Sequence, residues 1–225
     1  MAKMTKQEVL EELKSLGSEK LIAQNKKRGA GDNQYGVKMG DVRKIATKIK
    51  KDQELGLELW ETNNMEARCV AILILDPKKL SNAQLTAMVS SEKFTNVIDW
   101  LYSYLIKDSL DKQTLRLEWE KADNVMLQRL AWSLISGNIA RNPELEDSPK
   151  LLDYIEKHML EAKPEIQWTM NSTLAQIGIK QPQYRDRALA IGHKLGVYKD
   201  YPVSKGCTSP FAPIWIDYFV SREKQ

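Results

Sequence analysis

Few side chains in this 225-residue sequence have the types and spacing that catalysis or metal binding requires. The two histidines are His158 and His193, and the two cysteines are Cys69 and Cys207. They lie far apart in sequence, so they match no familiar metal-ligand spacing and no disulfide framework. Cys207 has no histidine nearby in sequence that could activate it as a nucleophile. We therefore expect no metal and no cofactor, and we do not favour cysteine-based catalysis.

Basic side chains offer a different chemistry, contact with a polyanion. Residues 1–51 carry 13 Lys and Arg against 6 Asp and Glu, residues 52–163 carry 13 against 19, and residues 164–225 carry 8 against 5. Because contacts to phosphates release condensed counterions, the N-terminal block is a candidate nucleic-acid surface. The net charge is only +4, however, and a solvated helix surface is an alternative interpretation of the same block.

The elements that would position these side chains are predicted to be helices. Apolar residues recur at helical spacing along nearly the whole chain, and most glycines and prolines fall between the periodic segments. Thr5 and Glu8 form a capping-box pattern before the first helix, and Ser18 is placed to cap the second. No segment has the pattern of a strand. The sequence therefore predicts one all-α domain over residues 1–225.

The sequence predicts no association with a membrane. No apolar run reaches the roughly 18 to 20 residues that a membrane span needs. The N-terminus carries a charge every few residues and has no apolar centre, so it does not resemble a secretory signal. A cytoplasmic location is the expectation.

Helix pairs recur along the chain as a loose internal repeat. Equivalent positions near the start of successive second helices are Arg68, Asp99, Arg129 and Trp168, which are separated by 31, 30 and 39 residues. Such spacing is typical of stacked helical hairpins, in which these side chains would line one face. The tryptophans at apolar helical spacings are predicted to pack in the core; they are Trp60, Trp119 and Trp132.

The segment from Tyr198 to Ile216 is unusual for a helical protein. Pro202, Pro210 and Pro213 prevent a continuous helix, while residues 204–209 supply small donors and a lysine, Lys205, that could hold a phosphate. The interpretation that we favour is a C-terminal capping segment, residues 198–225. It would be anchored by the apolar residues Phe211, Ile214 and Trp215.

Three stretches together resemble a known family. GVKMGDVRKIA (36–46), LELWETNNMEARCVAILILDPKKLS (57–81) and ADNVMLQRLAWSLI (122–135) are similar to the AlkD-like DNA alkylation repair family, the HEAT-like repeat DNA glycosylases. The resemblance runs from about Gly36 to Ile177, and the tail suggests a divergent branch. It implies a curved, right-handed solenoid of HEAT-like helical hairpins that holds double-stranded DNA and releases purines alkylated at N3 or N7.

The resemblance also implies a catalytic motif similar to Trp-Asp-x-x-Asp, followed about 30 residues later by Gln-Arg. Without gaps, Asp99 matches the catalytic aspartate and Arg129 the arginine that would hold a phosphate, while Thr95 and Asn96 replace the Trp and the first Asp. A shifted register would instead match Trp100 with the Trp and place Tyr104 at the Asp. The position of a further tryptophan of the family falls near Ser172, so this chain lacks that aromatic side chain there. Asp99 could alternatively complement a helix dipole, and Arg129 could pair with nearby acidic side chains.

The leading hypothesis is a monomeric DNA glycosylase with Asp99 as the catalytic carboxylate. The candidate DNA contacts are Arg129, Trp100, Trp168, Lys27, Arg28, Arg43, Lys44 and Lys205. One alternative is a non-catalytic protein that binds bent, branched or damaged DNA by its shape. Another is a protein-interaction scaffold, for which the acidic middle segment is the relevant feature.

Overall fold

The computed structural model describes residues 3–223. Within that range the chain forms helices, turns and loops with no strand, which confirms the all-α prediction. It divides into two compact units, residues 1–112 and 113–225. No helix in the described range is both long and apolar enough to cross a membrane.

The first unit is built around one buried helix. Its helices are α1 (Lys6–Ser15), α2 (Glu19–Lys27), α3 (Met39–Ile49), α4 (Gln53–Trp60), α5 (Met65–Ile74), α6 (Asn82–Ser90) and α7 (Thr95–Leu101), with a 3-10 turn at Pro77–Lys79 and a π-helical turn at Tyr102–Ile106. Helix α5 contacts α1, α3, α4 and α7. Since α5 is packed on several sides, nine of its ten residues are buried, including the charged Glu66 and Arg68.

The sequence predicts a capping side chain for each of the first two helices, and one of the two forms capping hydrogen bonds. The side chain of Thr5 accepts from the N–H of Glu8, and the Glu8 carboxylate accepts from the N–H of Thr5 at 2.7 Å, which confirms the capping box. Ser18 occupies the N-cap position of α2, as predicted, but its side chain makes no capping hydrogen bond. Its backbone N–H donates instead to the carbonyl of Tyr35 at 3.0 Å, so Ser18 joins the start of α2 to a distant loop.

The second unit centres on two long helices. It contains α8 (Lys112–Glu120), α9 (Val125–Arg141), α10 (Ser148–His158), α11 (Pro164–Lys180), α12 (Arg185–Leu195) and α13 (Ala212–Glu223), with 3-10 turns at Pro143–Leu145 and Pro182–Tyr184. Helices α9 and α11, each of 17 residues, pack side by side. Helix α13, from the tail, packs on α11 and α12. A Cβ at Gly178 would lie 2.4 Å from the side chain of Ile216, so this glycine admits the tail helix.

The repeat register places its equivalent residues consistently along the helices, but it does not put all of them on an open face. Asp99, Arg129 and Trp168 are each the fifth residue of their helices, and Arg68 is the fourth residue of α5. Arg68 and Arg129 are only 4% and 5% exposed, so the prediction that they line an open face is wrong for both. The three tryptophans that were predicted to pack in the core are buried.

Candidate functional site

Helix α7 places a carboxylate and an indole in one cleft. This feature, called the α7 cleft here, has a volume of about 470 Å³ and is bounded by α2, residues 37–39, α5 and α7. Asp99 and Trp100 of α7 line it, as does Arg28, which follows α2. Asp99 is exposed and Trp100 is half-buried. The cleft is in the size range of small-ligand sites and joins an anionic, a cationic and an aromatic group.

The position of Asp99 in α7 argues against its alternative role, which is to stabilise the helix dipole. It is the fifth residue of α7, and the first turn of that helix contains no acidic residue. Because the effect of the helix dipole falls off within the first turn, stabilisation of the helix end gives little reason for a carboxylate here.

One wall of the α7 cleft is held by a buried carboxylate. Glu66 has no exposed surface, and it accepts hydrogen bonds from the backbone N–H groups of Tyr35, Gly36 and Val37 at 2.9, 2.8 and 3.0 Å. Three such bonds offset the cost of burying a charge. The chain turns at Gly36, whose φ is +75° and whose Cβ, if present, would lie 2.3 Å from the carbonyl oxygen of Ser18. Glycine is therefore required where this wall meets α2.

Three side chains in contact with one another border the cleft. The Arg43 guanidinium lies 4.6 Å from the centroid of the Trp100 ring, and the rings of Trp100 and Tyr104 are 5.4 Å apart. The π-helical turn that follows α7 carries Tyr104. Such turns are frequent at functional sites. Arg43 and Tyr104 also line an adjacent basic notch of about 390 Å³ with Thr47, Lys50 and Lys51.

The other basic candidates in the first unit differ in how far their charge is available. Lys27 and Arg28 are exposed at the end of α2. Lys44 forms an ion pair with Asp41 at 2.8 Å, and the hydrogen bond to Asp41 raises the pKa of Lys44 and lowers the pKa of Asp41. Part of the charge of Lys44 is thus already balanced.

Arg129 joins two helices of the second unit. It is 5% exposed, and its Nη1 donates to the carbonyl of Glu165 at 2.8 Å, which links α9 to the first turn of α11. Burial raises the pKa of Tyr198, and the charge of Arg129 opposes part of that rise. A phosphate contact remains a prediction for Arg129, and its burial suits a side chain that orients neighbouring groups.

Trp168 has aromatic partners that the sequence did not suggest. Its ring centroid lies 5.2 Å from that of Tyr198 and 5.7 Å from that of Tyr201, and both tyrosines belong to the tail. The two tyrosines lie about 30 residues after Trp168, in turns that follow α12. No periodic pattern in the sequence therefore links them to Trp168. Lys205 is exposed further along the same tail.

The thiol on the cleft wall is not a reactive group. Cys69 lines the α7 cleft, but burial raises the pKa of its thiol, and the carboxylates of Glu66 and Glu92 raise it further. The thiolate is the nucleophilic form, so Cys69 is inert near neutral pH. Among the described residues, no group of three or more His, Cys, Asp and Glu side chains is arranged to hold a metal.

The structure thus brings Asp99, Trp100, Arg28 and Arg43 together in the first unit, with Lys27 and Lys44 on neighbouring helices. Arg129, Trp168 and Lys205 belong to the second unit. The sequence points to Tyr104, the ring in contact with Trp100, only through the shifted register of the motif. Glu66, which fixes the cleft wall, carries no sequence signal, because its role depends on a loop about 30 residues away.

Comparisons with known proteins agree on the family and the fold. The model of the DNA alkylation repair enzyme family matches residues 9–204. An uncharacterized protein of Listeria monocytogenes is 24% identical over 84% of this chain and 85% of its own length, and one of Listeria innocua is 25% identical over 82% and 81%.

A solved structure from a family related to the HEAT-like repeat DNA glycosylases, with affinity for branched DNA structures, is also similar. It covers 98% of this chain and 95% of its own, with a TM-score of 0.79 and 23% identity. That likeness establishes the HEAT-like repeat fold, while the family match covers most of the sequence. This chain therefore belongs to the DNA alkylation repair enzyme family.

Proposed function

We propose that this protein binds double-stranded DNA as a monomer and hydrolyses the N-glycosidic bond of purines alkylated at N3 or N7. The observation that carries the proposal is the α7 cleft, in which Asp99 and Trp100 face a common space beside Arg28. The family match to DNA alkylation repair enzymes supports the same class of substrate.

The groups in the cleft suit the charges of this reaction. An N3- or N7-alkylated purine carries a positive charge, which an aromatic ring such as Trp100 attracts. When the glycosidic bond breaks, its electron pair neutralises the purine and positive charge develops on the sugar. The Asp99 carboxylate would stabilise that charge and orient the water that bonds to the anomeric carbon, with the water's proton passing to solvent. Arg28 and Arg43 would contact neighbouring phosphates.

A non-catalytic DNA-binding protein is the second candidate. Thr95 and Asn96 stand where the family motif has a Trp and an Asp, so one aromatic group and one carboxylate of that motif are missing. The structurally similar protein comes from a family described by its affinity for branched DNA structures. The same basic side chains would then recognise the shape of the DNA, and no base would be released.

Single-turnover release of free base from duplex DNA that contains 7-methylguanine or 3-methyladenine tests the proposal. We expect release by the wild type and a loss of roughly 100-fold to 1000-fold in Asp99→Asn, the magnitude seen when a group that stabilises transition-state charge is removed. Asp108→Asn is the matched control, because Asp108 is an exposed aspartate outside the cleft in the same unit.

The two candidates give opposite results in this assay. Binding by the wild type without release of either base supports the non-catalytic protein and contradicts the glycosylase. Equal release by wild type and Asp99→Asn contradicts the role of Asp99 and favours the shifted register of the motif.

A further inference from the structure

The tail presents a cluster of three aromatic rings, called the tail platform here and made of Trp168, Tyr198 and Tyr201. The ring centroids of Tyr198 and Tyr201 are 5.7 Å apart, and each lies within 5.7 Å of Trp168. The interplanar angles are 63°, 57° and 89°. Because no two of these rings are parallel, none stacks face to face on another. Tyr201 is 46% exposed, so the cluster has an open aromatic surface.

The backbone fixes the rings in this arrangement. Tyr198 has a φ of +63°, a left-handed conformation that is rare for a bulky side chain. The N–H of Lys199 donates to the carbonyl of Gly196 at 3.1 Å, and the N–H of Tyr201 donates to the carbonyl of Tyr198 at 3.2 Å. Two consecutive turns thus carry the chain from the end of α12 back over Trp168. Strained backbone of this kind is concentrated at functional sites.

The far end of the segment is anchored as well. The side-chain amide of Asn171, on α11, donates to the carbonyl of Pro210 at 2.8 Å, and both residues are buried. The tyrosines therefore lie on a segment that is attached to the helices at both ends. A rigid aromatic surface loses little conformational entropy when a planar ligand stacks on it.

Charge beside the rings favours an anionic ligand. Lys199 and Lys205 are exposed in the same segment, and neither forms an ion pair with another described residue. Asp200 is the one acidic residue between Gly196 and Phe211, so this stretch has a small positive charge. Aromatic rings flanked by basic side chains are the pattern by which proteins hold single-stranded nucleic acid, since every base has a face that can stack.

We propose that Tyr201, supported by Tyr198 and Trp168, stacks against an unpaired nucleobase of the bound DNA. The inference rests on the proposed function, because it assumes that DNA is the ligand. It adds that the tail gives the protein a preference for DNA with a single-stranded segment, such as a fork. Packing of the rings solely to hold the tail against α11 is the competing explanation.

The test compares affinity for a forked duplex and for a fully paired duplex of the same length at one salt concentration. We expect the wild type to prefer the fork. Tyr201→Ala should weaken binding to the fork by roughly tenfold, in the range measured for loss of one base–aromatic contact, and change binding to the paired duplex little. Tyr201→Phe should keep the preference, because it keeps the ring. Tyr154→Ala is the control, since Tyr154 is an exposed tyrosine in another aromatic cluster of the same unit.

The outcomes separate this inference from the proposed function. If Tyr201→Ala keeps the preference of the wild type, or weakens fork and duplex equally, the tail platform is structural and the inference is overturned. If the wild type binds neither DNA, the proposed function fails and the inference fails with it. Thermal unfolding of each variant verifies that a loss of affinity is not a loss of folded protein.

Discussion

Burial gives the two cysteines opposite reactivity. Cys69 is buried on the wall of the α7 cleft, whereas Cys207 is exposed in the tail. Both are free thiols. Desolvation penalises the thiolate of Cys69, so its pKa is raised and the neutral thiol persists throughout the ordinary range of pH. The α7 cleft therefore contains a small apolar wall group at this position and no nucleophile.

Iodoacetamide labelling checks this difference. We expect the native protein to take up one label at Cys207 at pH 8, and the unfolded protein to take up two, because only unfolding exposes Cys69. The Cys207→Ser variant should remain unlabelled while native and gain one label when unfolded. Rapid labelling of native Cys207→Ser would show that Cys69 is accessible, contrary to its burial. Mass spectrometry counts the labels.

Single residues also show what the sequence can predict about a site. Asp99 matches the family motif in the ungapped register and Trp100 matches it only in the shifted register, and both residues line one cleft. Arg68 shares the position of Asp99 in the repeat, yet it is paired with Glu92 at 2.9 Å and stacked on Trp60 at 4.4 Å. A repeat position fixes the place on a helix, but the neighbours that decide burial come from other helices. The exposure of Arg68 was therefore not predictable from the repeat.

At the scale of elements, helices were predictable where local signals start them. Thr5 with Glu8, and the asparagines Asn64 and Asn124, cap helices by hydrogen bonds within three residues. The π-helical turn after α7 and the left-handed residue Tyr198 have no such signal. They depend on packing between distant segments, so the sequence could predict neither.

The wall of the α7 cleft gives a prediction about stability at this scale. Gly36→Ala should destabilise the protein by at least about 2 kcal/mol. A left-handed backbone costs an alanine about 1–2 kcal/mol, and the close approach to the Ser18 carbonyl adds about 1–3 kcal/mol of overpacking. Urea unfolding, monitored by circular dichroism, gives the free energy of unfolding.

Two other glycines separate these costs. Gly29 has a φ of +96° but open space around its Cβ position, so Gly29→Ala should show the backbone cost alone. Gly40 lies in α3 with open space and an ordinary φ, so Gly40→Ala should be neutral or stabilise by up to about 1 kcal/mol. Equal losses in Gly36→Ala and Gly29→Ala would contradict the importance of the contact between the wall and α2.

For the whole molecule, the sign of charge varies along the chain more than the net charge suggests. The basic block at residues 1–51 places Arg28, just after α2, in the α7 cleft, and Arg43, in α3, at its border. Residues 52–163 carry more acidic than basic side chains. If DNA is the ligand, its phosphates should be held by the first block, and lysines of the acidic segment should contribute little.

Salt dependence of DNA affinity tests that division. The logarithm of the binding constant should fall linearly with the logarithm of salt concentration, with a slope of about −0.9 for each phosphate contact. Lys27→Gln and Arg28→Gln should each reduce the magnitude of the slope by about 0.9, provided that each side chain contacts one phosphate. Lys157→Gln, at an exposed lysine of the acidic segment, should leave it unchanged. An affinity that stays constant between about 50 and 200 mM salt would contradict phosphate binding. It would favour the protein-interaction scaffold instead, because only that alternative makes no use of the basic block.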